Sequence, residues 1–421
     1  MGTLAPPGDK SLSHRALLFA ALAGGAAELE RLNPGEDVES TARALRALGV
    51  RVQRRGERWR VEGGGAKALR RPARAIDCGN SGTTMRLLAG VLAACPFESR
   101  LVGDASLSRR PMDRVADPLT RMGARVEGRR LGGSLVAPLV VRGGGLRPIA
   151  HRGRLASAQV KSAILLAACV AGVAVEVREP HRSRDHTERM LRALGARLRR
   201  TRGGVRLEAG GALRSPAGRV PGDPSAGAFF AAAAAALPGS DLVLEDVALN
   251  PTRLGFYRAL VRMGARVEAA ETRRWCGEPV GRLRVRPAAL RAIAVSPPAV
   301  PALVDEIPVL AVLAAGAARG VTRIRGAGEL RVKESDRIAA LADGLARLGA
   351  DVVERPDGLV IAGGRLGGGV VDARGDHRIA MAFRVAGLLA SGRVRVGGAR
   401  AMRISHPGFE RDLARLLRGR R

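Results

Sequence analysis

One short phrase recurs five times along the 421-residue chain: Leu45-Arg-Ala-Leu-Gly49-Val-Arg-Val, Leu119-Thr-Arg-Met-Gly123-Ala-Arg-Val, Leu191-Arg-Ala-Leu-Gly195-Ala-Arg-Leu, Leu260-Val-Arg-Met-Gly264-Ala-Arg-Val and Leu345-Ala-Arg-Leu-Gly349-Ala-Asp-Val. In each copy an amphipathic helix runs out, Gly takes the left-handed cap position, and an alternating strand begins. The spacing is roughly 70 to 85 residues, longer than a solenoid repeat, so each copy marks a small folding unit. A sixth amphipathic stretch, Gly408 to Leu417, has the same place in the pattern but no strand after it. The N-terminus is expected to supply that missing strand.

A second helix is expected in each unit: Arg15–Ala23, Thr84–Ala94, Lys161–Ala171, Ser225–Leu237, Pro308–Ala318 and Arg378–Ala390. Six units of mixed βα character predict two domains of three. The turn-forming triplet Gly222-Asp223-Pro224 marks the break. The expected domains are 9–222, and 1–8 together with 223–421. A chain of this length buries ample core for both.

Short polar islands precede these helices, and the rarest residues fall in them. Of 71 basic residues only four are lysine: Lys10, Lys67, Lys161 and Lys333. The Ala-, Gly- and Arg-rich composition indicates a bias under which a Lys supplying charge alone drifts to Arg. A Lys needed for its compact, reorientable ammonium does not, because a planar guanidinium has other donor geometry. Asn occurs only at positions 33, 80 and 250, and Gln only at 53 and 159.

The islands themselves read as anion chemistry. Cys78-Gly79-Asn80-Ser81-Gly82-Thr83-Thr84-Met85-Arg86 places two glycines and small hydroxyls before an apolar helix, where bare backbone N–H groups cradle phosphate. Arg110, Arg337 and Arg378 offer forks that suit carboxylates and phosphates. Asp305-Glu306 interrupts an apolar stretch from Val300 to Ala315, and a carboxylate there needs a partner or a task. Glu334 sits beside Lys333, so a Lys/Glu pair is available for proton transfer. Four cysteines without CxxC or Cys/His spacing read as reduced thiols, with no structural metal. The net charge of +32 attracts anions, yet Arg is dispersed and aromatics make up 2%, so stacking platforms for nucleic acid are missing. The most apolar run, Phe229 to Leu237, is far too short to span a membrane, and Met1–Pro7 does not read as a signal peptide.

In this order the islands resemble the enolpyruvyl transferases, and within them the branch whose acceptor is shikimate 3-phosphate. The matching motifs are Lys10-Ser11-Leu12-Ser13-His14-Arg15, Gly79 to Arg86, Arg110-Pro111-Met112, Ser157-Ala158-Gln159, Ser183 to Glu188, Gly222 to Ser225, Asp305 to Pro308, Arg331 to Arg337, and Asp376-His377-Arg378. The resemblance implies an α/β (α+β) fold of two domains, each of three βαβαββ units (an inverse α/β prism), closing like a clam on the substrates. It implies attack of the 5-hydroxyl of shikimate 3-phosphate on C2 of phosphoenolpyruvate, protonation at C3, and loss of phosphate from a tetrahedral intermediate. Ser11 and Arg15 would hold the shikimate carboxylate, and Ser157, Gln159 and Ser183 its phosphate and ring edge. Asp305 and Lys333 would contact the ring hydroxyls, with Asp305 as proton acceptor. Lys10 would touch both substrates and act in catalysis. Gly82, Arg110 and Gln159 would join it on phosphoenolpyruvate, with Arg337 and Arg378 on the carboxylate. Glu334 would serve proton transfer at C3. No metal or cofactor is implied, nor any nucleic-acid or membrane partner, and the expectation is a cytoplasmic monomer.

Some positions depart from the family pattern. Ala158 stands where many members have a second serine, and Leu87 where some have proline. Arg403 or His406 only loosely replaces a lysine near the C-terminal helix. Gly82 predicts sensitivity to glyphosate. Two rivals are a UDP-amino-sugar enolpyruvyl transferase, whose usual loop cysteine has no counterpart between Cys95 and Cys169, and an RNA-end-processing or RNA-binding protein of related fold.

Overall fold

A computed structural model describes residues 1–418. The chain divides into two compact units. The first, here the N unit, comprises Gly8–Val220 and Arg274–Glu278, and the second, the C unit, comprises Met1–Pro7, Pro221–Arg273 and the chain from Pro279 onward.

All five repeat glycines have positive φ: 87° at Gly49, 116° at Gly123, 108° at Gly195, 109° at Gly264 and 79° at Gly349. A Cβ is strained there, which is why the phrase keeps glycine. Each glycine separates an outer amphipathic helix from a hairpin. Glu36–Ala47, for example, is followed by strands Arg51–Arg55 and Arg58–Gly64, paired antiparallel. Strand Gly24–Glu30 pairs antiparallel with Arg58–Gly64, and Gly218–Arg219 pairs parallel at its edge. Strand order in the other four-stranded sheets repeats this plan.

The N-terminal strand departs from expectation. Gly2–Leu4 pairs parallel with Leu242–Leu244 of the fourth unit and does not complete the sixth. There the Gly369–Asp372 and Val394–Gly397 strands form a sheet of two. The parallel edge strand is the missing piece in the fourth unit, just as Gly218–Arg219 supplies it for the first. The Phe409–Arg418 helix lies beside this added strand, with Arg415 Nη2 3.5 Å from Thr3 O.

The second helix of each unit has little or no polar face. Pro224–Ala236 is buried from Pro224 to Ala235, and Ile307–Gly316 from Ile307 to Ala315. A helix apolar all round belongs inside a core. In the C unit these two pack on His377–Leu389, and in the N unit Gly82–Ala93 packs on Ala158–Ala171 and on Lys10–Leu22. Gly90 permits the closest approach, since a Cβ there would sit 2.3 Å from Ala163 O. These helices also begin earlier than the sequence suggests, at Lys10, Gly82, Ala158, Pro224, Ile307 and His377. Cap side chains explain five of them: Asp9, Ser81, Ser157, Asp223 and Asp376 each accept a first-turn N–H.

The compact units differ from the limits expected from sequence by one residue at Gly8, by two at Val220, and by one whole segment. Strands Arg266–Trp275 and Glu278–Arg286 form a hairpin whose tip, Arg274–Glu278, clusters with the N unit. Cys276 (φ 45°) and Gly277 (φ 78°) make the left-handed pair that a two-residue hairpin loop needs. The tip is tied down by polar groups. Trp275 Nε1 donates to Ala217 O at 2.8 Å, Arg189 Nη1 donates to Gly277 O at 3.2 Å, and His186 Nδ1 lies 2.8 Å from Glu278 Oε1. His186 and Glu278 are both buried.

Candidate functional site

In the N unit three helix N-termini carry the polar islands. Lys10 opens the first helix, and its Nζ pairs with Asp37 Oδ2 at 2.9 Å. Asp37 O accepts Thr84 Oγ1 at 3.3 Å, and Thr84 Oγ1 lies 2.7 Å from Thr41 Oγ1. Thr41 in turn sits 2.6 Å from His14 Nδ1. Burial, with Lys10 and Arg15 adding to it against an opposing Asp37, pushes His14 down to about 3. His14 is therefore a neutral strut between helices, and its folded-state cost of protonation begins to tell as pH falls below its ordinary value.

Gly82 opens the second helix. A Cβ there would meet Arg86 Nη1 at 2.7 Å and Arg110 Nη1 at 3.3 Å. Two guanidiniums thus flank bare backbone, an arrangement suited to a phosphate. Arg110 Nη2 is held by Asn80 Oδ1 at 2.6 Å and Ser106 Oγ at 3.2 Å. Gln159, on the third helix, accepts from Arg86 Nη1 at 2.9 Å and donates to Thr83 Oγ1 at 3.0 Å. Arg15 is buried and triply tied, to Thr187 Oγ1, Ser11 O and Ser162 Oγ. Ser183 Oγ and Ser157 N both donate to Glu179. Lys10, Ser11, Arg15, Gly82, Arg110, Ser157, Gln159 and Ser183 thus all belong to the N unit.

The C unit holds Asp305, Lys333, Glu334, Arg337 and Arg378. Arg337 is their hub and is 1% exposed. Its Nε donates to Asp376 Oδ2 at 2.8 Å, Nη2 to Glu334 Oε2 at 2.7 Å and Asp376 Oδ1 at 3.3 Å, and Nη1 to Asp305 Oδ1 at 3.4 Å. Burial opposes the charge of Arg337, but three carboxylates override it and push its pKa up further. Burial likewise opposes ionisation of Asp376, and the Arg337 charge holds its carboxyl below the usual range. Arg378 Nη1 donates to Asp305 O at 3.1 Å, and its Nε lies 3.7 Å from Asp305 Oδ1.

Two local pairings lie outside the sequence reading. Glu334 pairs with Arg337 at 2.7 Å, and Lys333 Nζ lies 3.9 Å from Glu329. Glu334 lies in the bend that precedes the Arg337–Arg347 helix, and that bend brings it back onto the first residue of the helix. His406, at most a loose substitute for the family lysine, is engaged within the C unit. It is buried, with Nε2 3.0 Å from Asp412 Oδ2 and its ring against Phe230 and Phe409. Asp37, Arg86, Glu179 and Asp376 are the side chains that sequence reasoning gave no role. Arg86 and Asp376 lie in matched motifs, but nothing local marks Asp37 or Glu179.

The four cysteines are free thiols, Cys78 and Cys95 buried and Cys169 and Cys276 half-buried. Burial pushes Cys95 and Cys169 up to about 11 and Cys276 up to about 12, so these thiols stay protonated.

The Lys10–Asp37 geometry gives a direct test. Lys10→Arg keeps the charge but not the compact donor, and should lower kcat/KM by about tenfold or more, a charge-assisted hydrogen bond being worth roughly 1.5–3 kcal/mol. Lys67→Arg, in the Ala66–Ala68 turn, should leave kcat/KM unchanged.

Known proteins place this arrangement. A profile of the EPSP synthase (3-phosphoshikimate 1-carboxyvinyltransferase) family matches residues 1–413. The chain is 51% identical over 411 residues to the 3-phosphoshikimate 1-carboxyvinyltransferase of Xanthomonas campestris pv. campestris, covering 97% of this chain and 93% of that one. It is 50% identical to the enzyme of that name from Pelotomaculum thermopropionicum, covering 99% and 96%. The solved EPSP synthase of Acinetobacter baumannii superposes with a TM-score of 0.86 at 41% identity, covering 99% of this chain and 95% of that one. The enolpyruvyl transferase NikO of Streptomyces tendae, at 18% identity and a TM-score of 0.78 with 99% and 94% covered, shares the fold. By motif order, site chemistry and likeness along nearly its whole length, the chain belongs to the EPSP synthase family, the 3-phosphoshikimate 1-carboxyvinyltransferases.

Proposed function

We propose that the chain transfers the enolpyruvyl group of phosphoenolpyruvate to the 5-hydroxyl of shikimate 3-phosphate, releasing phosphate on the way to chorismate. The observation that carries this reading is that each unit holds one cluster: Lys10, Arg15, Arg86 and Arg110 near helix N-termini in the N unit, and Asp305 beside two buried arginines in the C unit. Two polyanionic substrates call for that many cations, and the reaction calls for one carboxylate base.

In this reading Lys10, Gly82, Arg110 and Gln159 hold the phosphate of phosphoenolpyruvate. Arg337 and Arg378 take its carboxylate. The longer contact of Arg337, Nη1 to Asp305 at 3.4 Å, is the one a substrate carboxylate replaces, which releases Asp305. Asp305 then accepts the proton of the 5-hydroxyl as its oxygen bonds to C2, and Lys333 steadies the ring hydroxyls. Glu334 delivers the proton to C3 and removes one again as the C–O bond to phosphate breaks. Ser11 and Arg15 hold the shikimate carboxylate, and Ser157, Gln159 and Ser183 its phosphate end. The enzyme would work as a cytoplasmic monomer.

The test is phosphate release from phosphoenolpyruvate with and without shikimate 3-phosphate. Release that depends on shikimate 3-phosphate is expected, and equal release in both would overturn the reading. RNA binding that survives high salt would favour the RNA-processing rival instead.

Glyphosate should inhibit the enzyme in competition with phosphoenolpyruvate, and activity persisting under a large excess of the inhibitor would count against that. Gly82→Ala should fold normally, because its Cβ meets only the far ends of the Arg86 and Arg110 side chains. Moving Arg86 breaks its bond to Gln159, so KM for phosphoenolpyruvate should rise by about tenfold, the effect of one charge-assisted hydrogen bond. Steady-state kinetics check both.

A further inference from the structure

Lys161 is the third lysine of the polar islands, and no substrate role falls to it. It is nevertheless buried, its side chain 5% exposed, between two carboxylates: Nζ lies 2.7 Å from Glu179 Oε2 and 2.8 Å from Glu188 Oε1. Glu179 reaches beyond the lysine to both serines of the proposed phosphate end. Its Oε1 accepts Ser157 N at 2.8 Å, and its Oε2 accepts Ser183 Oγ at 2.7 Å. Ser157 also caps the helix that carries Gln159, accepting Val160 N at 3.4 Å.

We propose that Lys161 is a positioning residue for the phosphate end of the shikimate 3-phosphate site, acting through Glu179 on Ser157 and Ser183. The inference rests on the functional reading given above.

The chemistry of the serine shows why a cation is needed there. A hydroxyl has one hydrogen to donate. In this structure Ser183 spends it on Glu179, so it cannot donate to a phosphate at the same time. When phosphate binds, the hydroxyl turns to it and Glu179 Oε2 loses a donor. Lys161 remains on that oxygen, so the carboxylate is not left bare beside a second anion. Lys161 also cancels a charge that would otherwise repel the incoming phosphate. Glu188 fixes the ammonium from its other side. One Nζ contacts both carboxylates here, whereas a guanidinium would divide them between separate nitrogens in a fixed plane. That accounts for a lysine surviving here in so arginine-rich a chain.

The test compares KM for each substrate. Lys161→Met should raise KM for shikimate 3-phosphate by about tenfold or more while leaving KM for phosphoenolpyruvate nearly unchanged, the effect of one charge-assisted contact. In a Ser183→Ala background the same substitution should lose most of its effect, because it acts through that serine. Equal factors in both backgrounds, or a rise in both KM values, would overturn the proposal in favour of a purely structural role. Lys161→Met strips the partner from two buried carboxylates and risks misfolding. Glu179→Gln therefore serves as the second variant. It keeps both contacts, donates to Ser183 Oγ through its amide, frees the serine hydrogen for phosphate, and leaves Lys161 paired with Glu188. Its KM for shikimate 3-phosphate should stay level or fall, and a tenfold rise would sink the proposal. A wild-type enzyme showing no release dependent on shikimate 3-phosphate would instead overturn the functional reading itself.

Discussion

Asp305→Ala should cut kcat by about a hundred- to ten-thousand-fold, the usual contribution of a positioned general base, while hardly changing stability. The separation of the two effects follows from the geometry. The Asp305 side chain is 17% exposed, and its contacts to the two arginines are long: 3.4 Å to Arg337 Nη1 and 3.7 Å to Arg378 Nε. Arg337 keeps Asp376 and Glu334 when Asp305 is truncated, and Arg378 keeps the backbone carbonyl of residue 305. No buried charge is orphaned, so the loss of stability should stay near the value of a weak ion pair, about 1 kcal/mol or less. Single-turnover kinetics alongside thermal denaturation check this. Unchanged turnover would refute Asp305 as the proton acceptor, and a large drop in stability would refute the account of its contacts.

Arg337→Met should show the opposite balance, losing both activity and about 3–5 kcal/mol of stability at neutral pH, the cost of stripping the partner from a buried charge. Asp376 is fully buried and Arg337 supplies its main counter-charge. The pH dependence gives this prediction its sign. In the native protein the Asp376 carboxyl lies below its ordinary value, so its pairing contributes stability above the unfolded value and loses it as pH falls through the folded one. Without Arg337 the largest force opposing burial is gone, the cap and Ser335 hydrogen bonds remain, and the carboxyl moves up. The gap between variant and wild type should therefore be widest at neutral pH and narrow toward acid. Urea unfolding at several pH values reads this directly, and a gap independent of pH would contradict it.

Sequence legibility tracked the range of the interaction involved. The repeat glycines were legible because a left-handed cap tolerates almost nothing else, and all five take positive φ. Six inner helices were legible from their apolar runs, though their starts lay one to five residues early because cap bonds, not hydropathy, set the first turn. The residues proposed to face substrate were found through motifs. Their supports were not, because each is set by folding across long separations: Lys10 with Asp37, Lys161 with Glu179, Arg337 with Asp376. Lys333 and Glu334, neighbours in the chain, turn to different partners, which spacing alone does not show. The placement of the N-terminal strand was likewise invisible to pattern, since three residues carry no period. Its pairing at Leu242–Leu244 decides it.

That strand and the Arg274–Glu278 hairpin tip have a consequence for synthesis. Gly2–Leu4 leaves the ribosome first, yet its partner Leu242–Leu244 follows nearly 240 residues later. At about 5–20 residues per second the strand waits roughly 12–50 s with its edge unpaired. The N unit faces the mirror-image delay: His186 is made early, but Glu278, its buried partner, is translated after Val220 has closed the rest of that unit. Neither unit is encoded by one uninterrupted stretch. A gene cut at Val220 would give two fragments that each lack a piece held by the other, so they should regain structure only when made together.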